Sequence, residues 1–251
     1  ADVQDDDTYE FKWQTANLEM DAGTYTVYAV SAPRDKDHLS DAQYDTVSLV
    51  IKKPYIQATA SASVVAKGDK MFVRGTAEGD PSKGVAIWIL GKNKVLYATE
   101  SVNDDMSFEH EIKSAATASL YAGQYFVVIQ HPMYNNEFDV YPDNPLEPQK
   151  ILGAFPTRDS EVFRIGGAGA LQGTDAAEAL VRAIDSAMVD DIYTKMQFLV
   201  EEPKVTINPI GEQAVGSKFE ISGTSNLMYD DNDLLVEVTS SSFKPTDKSQ
   251  S

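Results

Sequence analysis

The side chains able to carry acid–base or metal chemistry are few and scattered. His38, His110 and His131 are the only imidazoles, and no two of them stand four residues apart, the spacing that presents two ligands on one helix face. Cysteine is absent, which removes thiol nucleophiles, thiolate metal sites and disulfides together. No Gly-x-Ser-x-Gly or His-Glu-x-x-His arrangement occurs. The acidic pair Glu201-Glu202 has the basic pair Lys52-Lys53 at its repeat-equivalent position, and a position that accepts either sign of charge is a poor one for catalytic carboxylates. No enzymatic activity is expected.

Acidic clusters offer a different chemistry. Asp5-Asp6-Asp7, Asn103-Asp104-Asp105 and Asp230-Asp231-Asn232-Asp233 concentrate carboxylate and amide oxygens in short loops, the donor type that Ca²⁺ takes six to eight of. Asp104, Asp105, Asp230, Asp231 and Asp233 are therefore the candidate calcium ligands. None of these clusters has the glycine and closing glutamate of an EF-hand loop, and a solvated turn is the commoner role for such runs.

The segment 162–185 reads as strand, glycine-rich turn and helix, the order of a phosphate-binding site. A dinucleotide fingerprint would need glycine where Gln172 stands, and a P-loop would need lysine after Gly173, where Thr174 and Asp175 follow. Asp175 and Glu178 in the first helical turn would repel a phosphate. Tyr134, Phe138, Tyr141 and Phe155 lie in a proline-rich stretch and present rings that could stack on sugars, although loop aromatics more often anchor a loop to its scaffold.

The elements that must position these groups are marked by internal repeats. Residues 66–76 align without a gap against 214–224, with Ala, Gly, Lys, Gly and Thr identical at an offset of 148. Leu49-Val50-Ile51-Lys52-Lys53-Pro54 matches Phe198-Leu199-Val200-Glu201-Glu202-Pro203 at an offset of 149. A third match, Ala22-Gly23-Thr24-Tyr25-Thr26-Val27 against Ala122-Gly123-Gln124-Tyr125-Phe126-Val127, is offset by 100. The second copy therefore carries an insertion of 49 residues, and without it the unit is 100 residues long, the size of an immunoglobulin-like sandwich.

Short β-branched or aromatic runs at 25–30, 72–76, 85–90, 125–129 and 234–239, bounded by Gly, Pro, Asp or Asn, predict strands. A tyrosine two residues beyond each Ala-Gly turn is placed like the corner tyrosine of such sandwiches. The fold class expected is mainly β: tandem immunoglobulin-like β-sandwich modules, the central one with a loop-rich insertion. The boundaries expected are 1–54 for the C-terminal half of one module, 55–202 for a complete module and 203–251 for the N-terminal half of another. The insertion spans 132–190. Its prolines 142, 145, 148 and 156 argue against regular structure, apart from a short strand at 161–165 and one helix at about 174–190. That helix is capped by Thr174 or Asp175, with an Asp175–Glu178 capping box and an apolar stripe of Ala176, Ala177, Leu180, Val181, Ile184 and Met188 that packs across an open face or end of the sandwich.

Composition narrows function. Among 251 residues, 39 acidic against 21 basic side chains give a net charge of −18, which disfavours nucleic acid and anionic membranes as partners. An apolar content of 42% is enough for a folded core. The longest apolar runs, 85–90 and 125–129, are far shorter than the ~20 residues of a membrane helix, so no direct membrane insertion is expected. Asn-x-Ser/Thr acceptor sites are absent.

The segment Asp21-Ala22-Gly23-Thr24-Tyr25-Thr26-Val27-Tyr28-Ala29-Val30, the Phe138-Asp139-Val140-Tyr141-Pro142 segment, the Gly-Ala-Gly-Ala-Leu-Gln-Gly-Thr-Asp-Ala-Ala-Glu-Ala-Leu run at 167–180 and the 198–203 strand end together resemble a family of exported methanogen proteins of archaeal surface-layer or sheath type. The resemblance covers most of the chain and marks structure without marking an active site. It implies an extracellular, cell-surface protein whose partners are copies of itself, with other surface proteins or glycans as further partners. It also implies a signal peptide and an anchoring region, so the 251 residues read as an internal or processed piece. The expected function is structural self-assembly into a layer, sheath or filament through β-sandwich modules and strand complementation, with no cofactor other than Ca²⁺. The alternative is a carbohydrate-binding or adhesin sandwich that uses the 132–165 part of the insertion.

Overall fold

The structure, a computed structural model, describes residues 1–13, 15, 20–32, 34–79, 81–133, 135–229 and 232–239. In chain order the strands and helices are β1 (Gly23–Val30), β2 (Tyr44–Ile51), β3 (Tyr55–Ala60), β4 (Val64–Ala66), β5 (Met71–Glu78), β6 (Val85–Gly91), β7 (Lys94–Glu100), β8 (Ser107–Ile112), α1 (Ser114–Ala118), β9 (Gly123–His131), β10 (Val140–Pro142), β11 (Lys150–Gly153), β12 (Ser160–Arg164), α2 (Gly173–Ile184), β13 (Ile192–Glu201), β14 (Val205–Ile207) and β15 (Gly223–Ser225).

The chain is mainly β, and its central part is a β-sandwich. One sheet has the order β4-β13-β9-β6-β7 and the other β3-β5-β8. Val73 and Phe108 from the smaller sheet meet Ile87, Tyr125, Val127 and Phe198 from the larger one in a continuous buried core. A second core lies on the outer face of the larger sheet, where Trp88, Leu90, Phe126 and Val128 pack against Ala176, Ala177, Leu180 and Ile184 of α2 and Val140 and Ile151 of the insertion.

Burial on both faces explains the unbroken apolar sequence of β6, in which all seven residues are buried. A strand with one wet face alternates; one covered on both faces does not need to. The insertion is what covers the outer face. It contains a three-stranded antiparallel sheet, β10-β11-β12, where the prolines had argued for irregular chain. Pro142 ends the edge strand β10, the place where a missing N–H does not break the sheet. The short strand expected at 161–165 is β12.

The helix differs from its expected 174–190 span. It ends at Ile184, where the Asp185 N–H donates to Val181 O, and the chain then turns toward β13. Met188 consequently lies outside the helix and is 59% exposed. Gln172 occupies the N-cap without a side-chain capping bond, its amide donating instead to Asn93 Oδ1 at 2.7 Å, and the expected capping box is not made. Glu178 instead pairs with Lys195 of β13. The rest of the apolar stripe is buried as expected.

The repeat offsets reappear as strand register. Gly23 pairs with Ile51 and Tyr25 with Leu49, while Gly123 pairs with Val200 and Tyr125 with Phe198. These are the same pairs displaced by 100 on one strand and 149 on the other. Tyr25 Oη donates to Asp21 O at 2.7 Å, and Tyr125 Oη donates to Tyr121 O at 3.1 Å. Similarly, Ala58 pairs with Gly75 and Ile207 with Gly223. Glycine is required at both positions, because an added Cβ would lie 2.2 Å from Gln57 O at Gly75 and 1.9 Å from Thr206 O at Gly223. Residues 234–239 were expected to form a strand; they form no ladder with a described strand, and Leu235 is 92% exposed.

Candidate functional site

The most unusual polar site lies where the insertion leaves and rejoins the sandwich. Strand β9 runs out through Gln130 and His131, the insertion begins, and the chain returns through Asp190 and Asp191 into β13. Because Ile192 pairs with His131, both ends of the insertion are held side by side. Asp139, near the start of the insertion, closes the group. Ligand oxygens of Asp139, Asp190 and Asp191 all lie within 4.8 Å of one another.

Two of these carboxylates are buried: Asp139 is 4% exposed and Asp191 5%. Gln130 organises the site. Its Oε1 accepts from Trp88 Nε1 at 2.9 Å, and its amide donates to Val140 O at 2.9 Å and to Asp191 Oδ2 at 2.6 Å. The Asp139 amide also donates to Asp191 Oδ2, at 2.8 Å, and the Asp190 amide donates to Asp139 Oδ2 at 3.3 Å. Asn135 Nδ2 donates to Asp190 Oδ1 at 2.9 Å. Asp191 Oδ1, in contrast, is buried and has no hydrogen-bond partner.

The electrostatics are unfavourable for three carboxylates alone. Two unit charges 4.8 Å apart repel by about 3 kcal/mol at an effective dielectric of ~20. Burial pushes the Asp191 carboxyl up to about 7, and the Asp139 and Asp190 charges add to that rise against the bonds from Gln130 and the Asp139 amide. Asp139 is also raised, chiefly by burial. Beside them, burial pushes the Tyr97 phenol up to about 12, with the Asp191 charge contributing. No lysine or arginine among the described residues forms an ion pair with Asp139 or Asp191. Such a group can hold a metal ion, or retain protons in place of one.

The residues singled out from the sequence lie elsewhere. Asp104 and Asp105 are exposed, and Asp105 accepts from the Ser107 amide and hydroxyl in a tight turn. Asp233 is exposed, and Asp230 and Asp231 fall outside the described residues. None of the described candidates belongs to the Asp139–Asp190–Asp191 group, the one such cluster among the described residues. Its sequence signal was available in part: if β9 and β13 pair, acidic residues at the two ends of the intervening insertion must converge. The burial that makes them unusual was not readable.

Of the aromatic candidates, Tyr134 lies outside the described residues and Phe138 is half-buried. The Tyr141 hydroxyl donates to Asp159 Oδ1 at 2.9 Å and accepts from the Asp159 amide, with the Arg158 guanidinium 5.8 Å from its ring. Phe155 is 43% exposed and lines a groove of about 450 Å³ between the insertion sheet and α2, together with Asp139, Phe163, Arg182 and Val189.

The histidines are separated. His38 bonds Asp35 at the surface, and His110 Nδ1 lies 3.0 Å from Glu100 Oε2 beside an apolar groove of about 290 Å³ between β7 and β8. Tyr97, Glu111 and Lys113 are the other polar residues that line that groove. His131 is fully buried, accepts from the Met133 amide at Nδ1, and leaves Nε2 without a hydrogen bond.

A β-sandwich with a polar site under an insertion is the class these features define. The sequence matches no protein-family model, and neither curated proteins nor solved structures yield a significant match. None of the helices is long and apolar enough to cross a membrane among the described residues.

Proposed function

We propose that this chain is a structural cell-surface protein, built from tandem immunoglobulin-like β-sandwich modules, that self-assembles into a layer, sheath or filament by strand complementation. The observation that carries this reading is the correspondence of register. The β1–β2 hairpin repeats the β9–β13 pairing, including its tyrosine bond, and β14–β15 repeats the β3–β5 pairing. The strand order and corner tyrosine of the central sandwich accord with an immunoglobulin-like unit.

The same logic supplies the contact. In the central sandwich β6 pairs with β9, with Ile87 opposite Ile129. Displaced by 100 and by 149, the shift that lays Val85, Ile87 and Ile89 over Leu234, Val236 and Val238, that pair becomes Val236 opposite Ala29. Both segments expose apolar side chains, Val236 at 58%, Val238 at 78% and Tyr28 at 42%, and pairing them would cover both. The acidic surface, the absence of catalytic motifs and the resemblance to surface-layer proteins support an extracellular structural role. Copies of the chain are the principal partners, with other surface proteins or glycans secondary.

Ala29→Cys combined with Val236→Cys tests the contact in a chain that has no cysteine of its own. Disulfide-linked oligomers, and sedimentation that rises with concentration, are expected. A linked single chain would place the contact within one molecule, and a strictly monomeric, unlinked chain at high concentration would overturn the assembly. Phe155 in the groove beside α2 favours a second reading, a carbohydrate-binding or adhesin module; a glycan array with no binding, in the presence and absence of calcium, removes it.

A further inference from the structure

We infer that Asp139, Asp190 and Asp191 form a divalent-cation site of the calcium class that clasps the insertion to the sandwich. This is a site distinct from the exposed acidic turns, and it does not depend on assembly. Three observations converge on it. The carboxylates share one small volume. Asp191 Oδ1 is buried without a hydrogen bond in a side chain 95% removed from solvent, and a buried acceptor of that kind calls for a partner. The two deeply buried carboxylates have no lysine or arginine partner among the described residues, although buried charge is ordinarily paired or bound to metal.

The donor set selects the cation. All three groups offer hard oxygen, with no cysteine in the chain and with His131 outside the cluster. Oxygen-only, carboxylate-rich sites suit Ca²⁺, and Mg²⁺ less, because Mg²⁺ demands a near-ideal octahedron and keeps its waters. Asp139 is also among the residues that line the groove beside α2. The bound ion would join residues 51 and 52 positions apart in sequence, reinforcing links already made by the Asp139 and Asp190 amides. Its effect is to close the loop of the insertion and fix the sheet and helix that cover β6 and β9.

The test is calcium titration of the full chain by calorimetry and by Tb³⁺ luminescence, with thermal melting in calcium and in chelator. One saturable site per chain and a melting temperature raised by calcium are expected. Asp191→Asn and Asp190→Asn should each weaken binding at least ten-fold, while Asp104→Asn/Asp105→Asn and Asp233→Asn should leave it unchanged. Asp190 is only half-buried, so its variant keeps the test readable should Asp191→Asn fail to fold. Absence of saturable binding at millimolar calcium overturns the site, as does binding undiminished in a cooperatively folded Asp190→Asn or Asp191→Asn chain. An Asp191→Asn chain more stable than the parent in chelator, with no calcium response in the parent, would identify the group as a proton-sharing cluster and overturn the inference.

Discussion

The backbone amide of Asp139 donates to Asp191 Oδ2 at 2.8 Å across 52 positions of sequence. That single bond ties the beginning of the insertion to its end, and Gln130 ties both to the sandwich through the same oxygen. The insertion is therefore anchored by a buried polar network as well as by the apolar face of α2. Networks of this kind confer a unique arrangement only when each member keeps its partners.

Gln130→Leu should therefore cost far more than the loss of one hydrogen bond. It removes the partner of Trp88 Nε1 and one partner of Asp191 Oδ2, all within buried surroundings. A loss of about 2–4 kcal/mol is expected from stranded polar groups. Equilibrium denaturation measures it, and limited proteolysis should cut first within the 143–149 loop.

Tyr125→Phe tests the corner. Tyr125 is 1% exposed, its hydroxyl bonds both the amide and the carbonyl of Tyr121, and its ring stacks on Phe198 at 5.5 Å. The variant keeps the ring and loses the bonds, so a destabilisation of about 1–2 kcal/mol is expected. The denaturation midpoint should fall with its slope unchanged.

Gly75→Ala should be among the most damaging single-methyl changes in the smaller sheet. The new carbon would meet the Gln57 carbonyl and the Phe108 ring, the latter at 2.5 Å; the carbonyl cannot retreat without breaking the β3–β5 ladder, and the Phe108 ring is packed in the core. A cost of about 1–3 kcal/mol or more is expected from overpacking. A melting temperature within a degree of the parent would contradict this packing.

His131 gives a pH dependence of defined sign. Burial holds its imidazole below the ordinary 6.5, opposed by the Glu78 carbonyl and the Asp190 charge. The folded state thus favours the neutral ring. The contribution is fully present above pH ~6.5, where the unfolded ring is also neutral, and is lost as pH falls from there through the lower folded value. Asp191, raised by burial, contributes in the opposite sense over the same range, so the test is the difference between the parent's denaturant midpoint and that of His131→Gln, which should grow in the parent's favour as pH rises from about 5 to ~6.5.

The internal repeats, read from the sequence alone, determine more than the number of strands. Offsets of 100 and 149 on the two strands of one hairpin carry the Tyr25–Leu49 pairing onto Tyr125–Phe198, because register is a relation between positions and survives displacement of the whole unit. The apolar stripe Ala176 to Ile184 was legible in the same way, as periodicity, whereas the apolar run of β6 was visible but its burial on both faces came only with the structure. What the sequence could not disclose is which loop polar groups lose their water. Asp104-Asp105 and Asp190-Asp191 are both adjacent acidic pairs next to strands, yet one ends in a solvated turn and the other beneath an insertion. The difference lies in desolvation, a property of what is stacked above a residue. Only the tertiary structure, by folding residues 132–190 back over β6 and β9, decides that Asp139 and Asp191 meet in a dry space with Asp190 beside them.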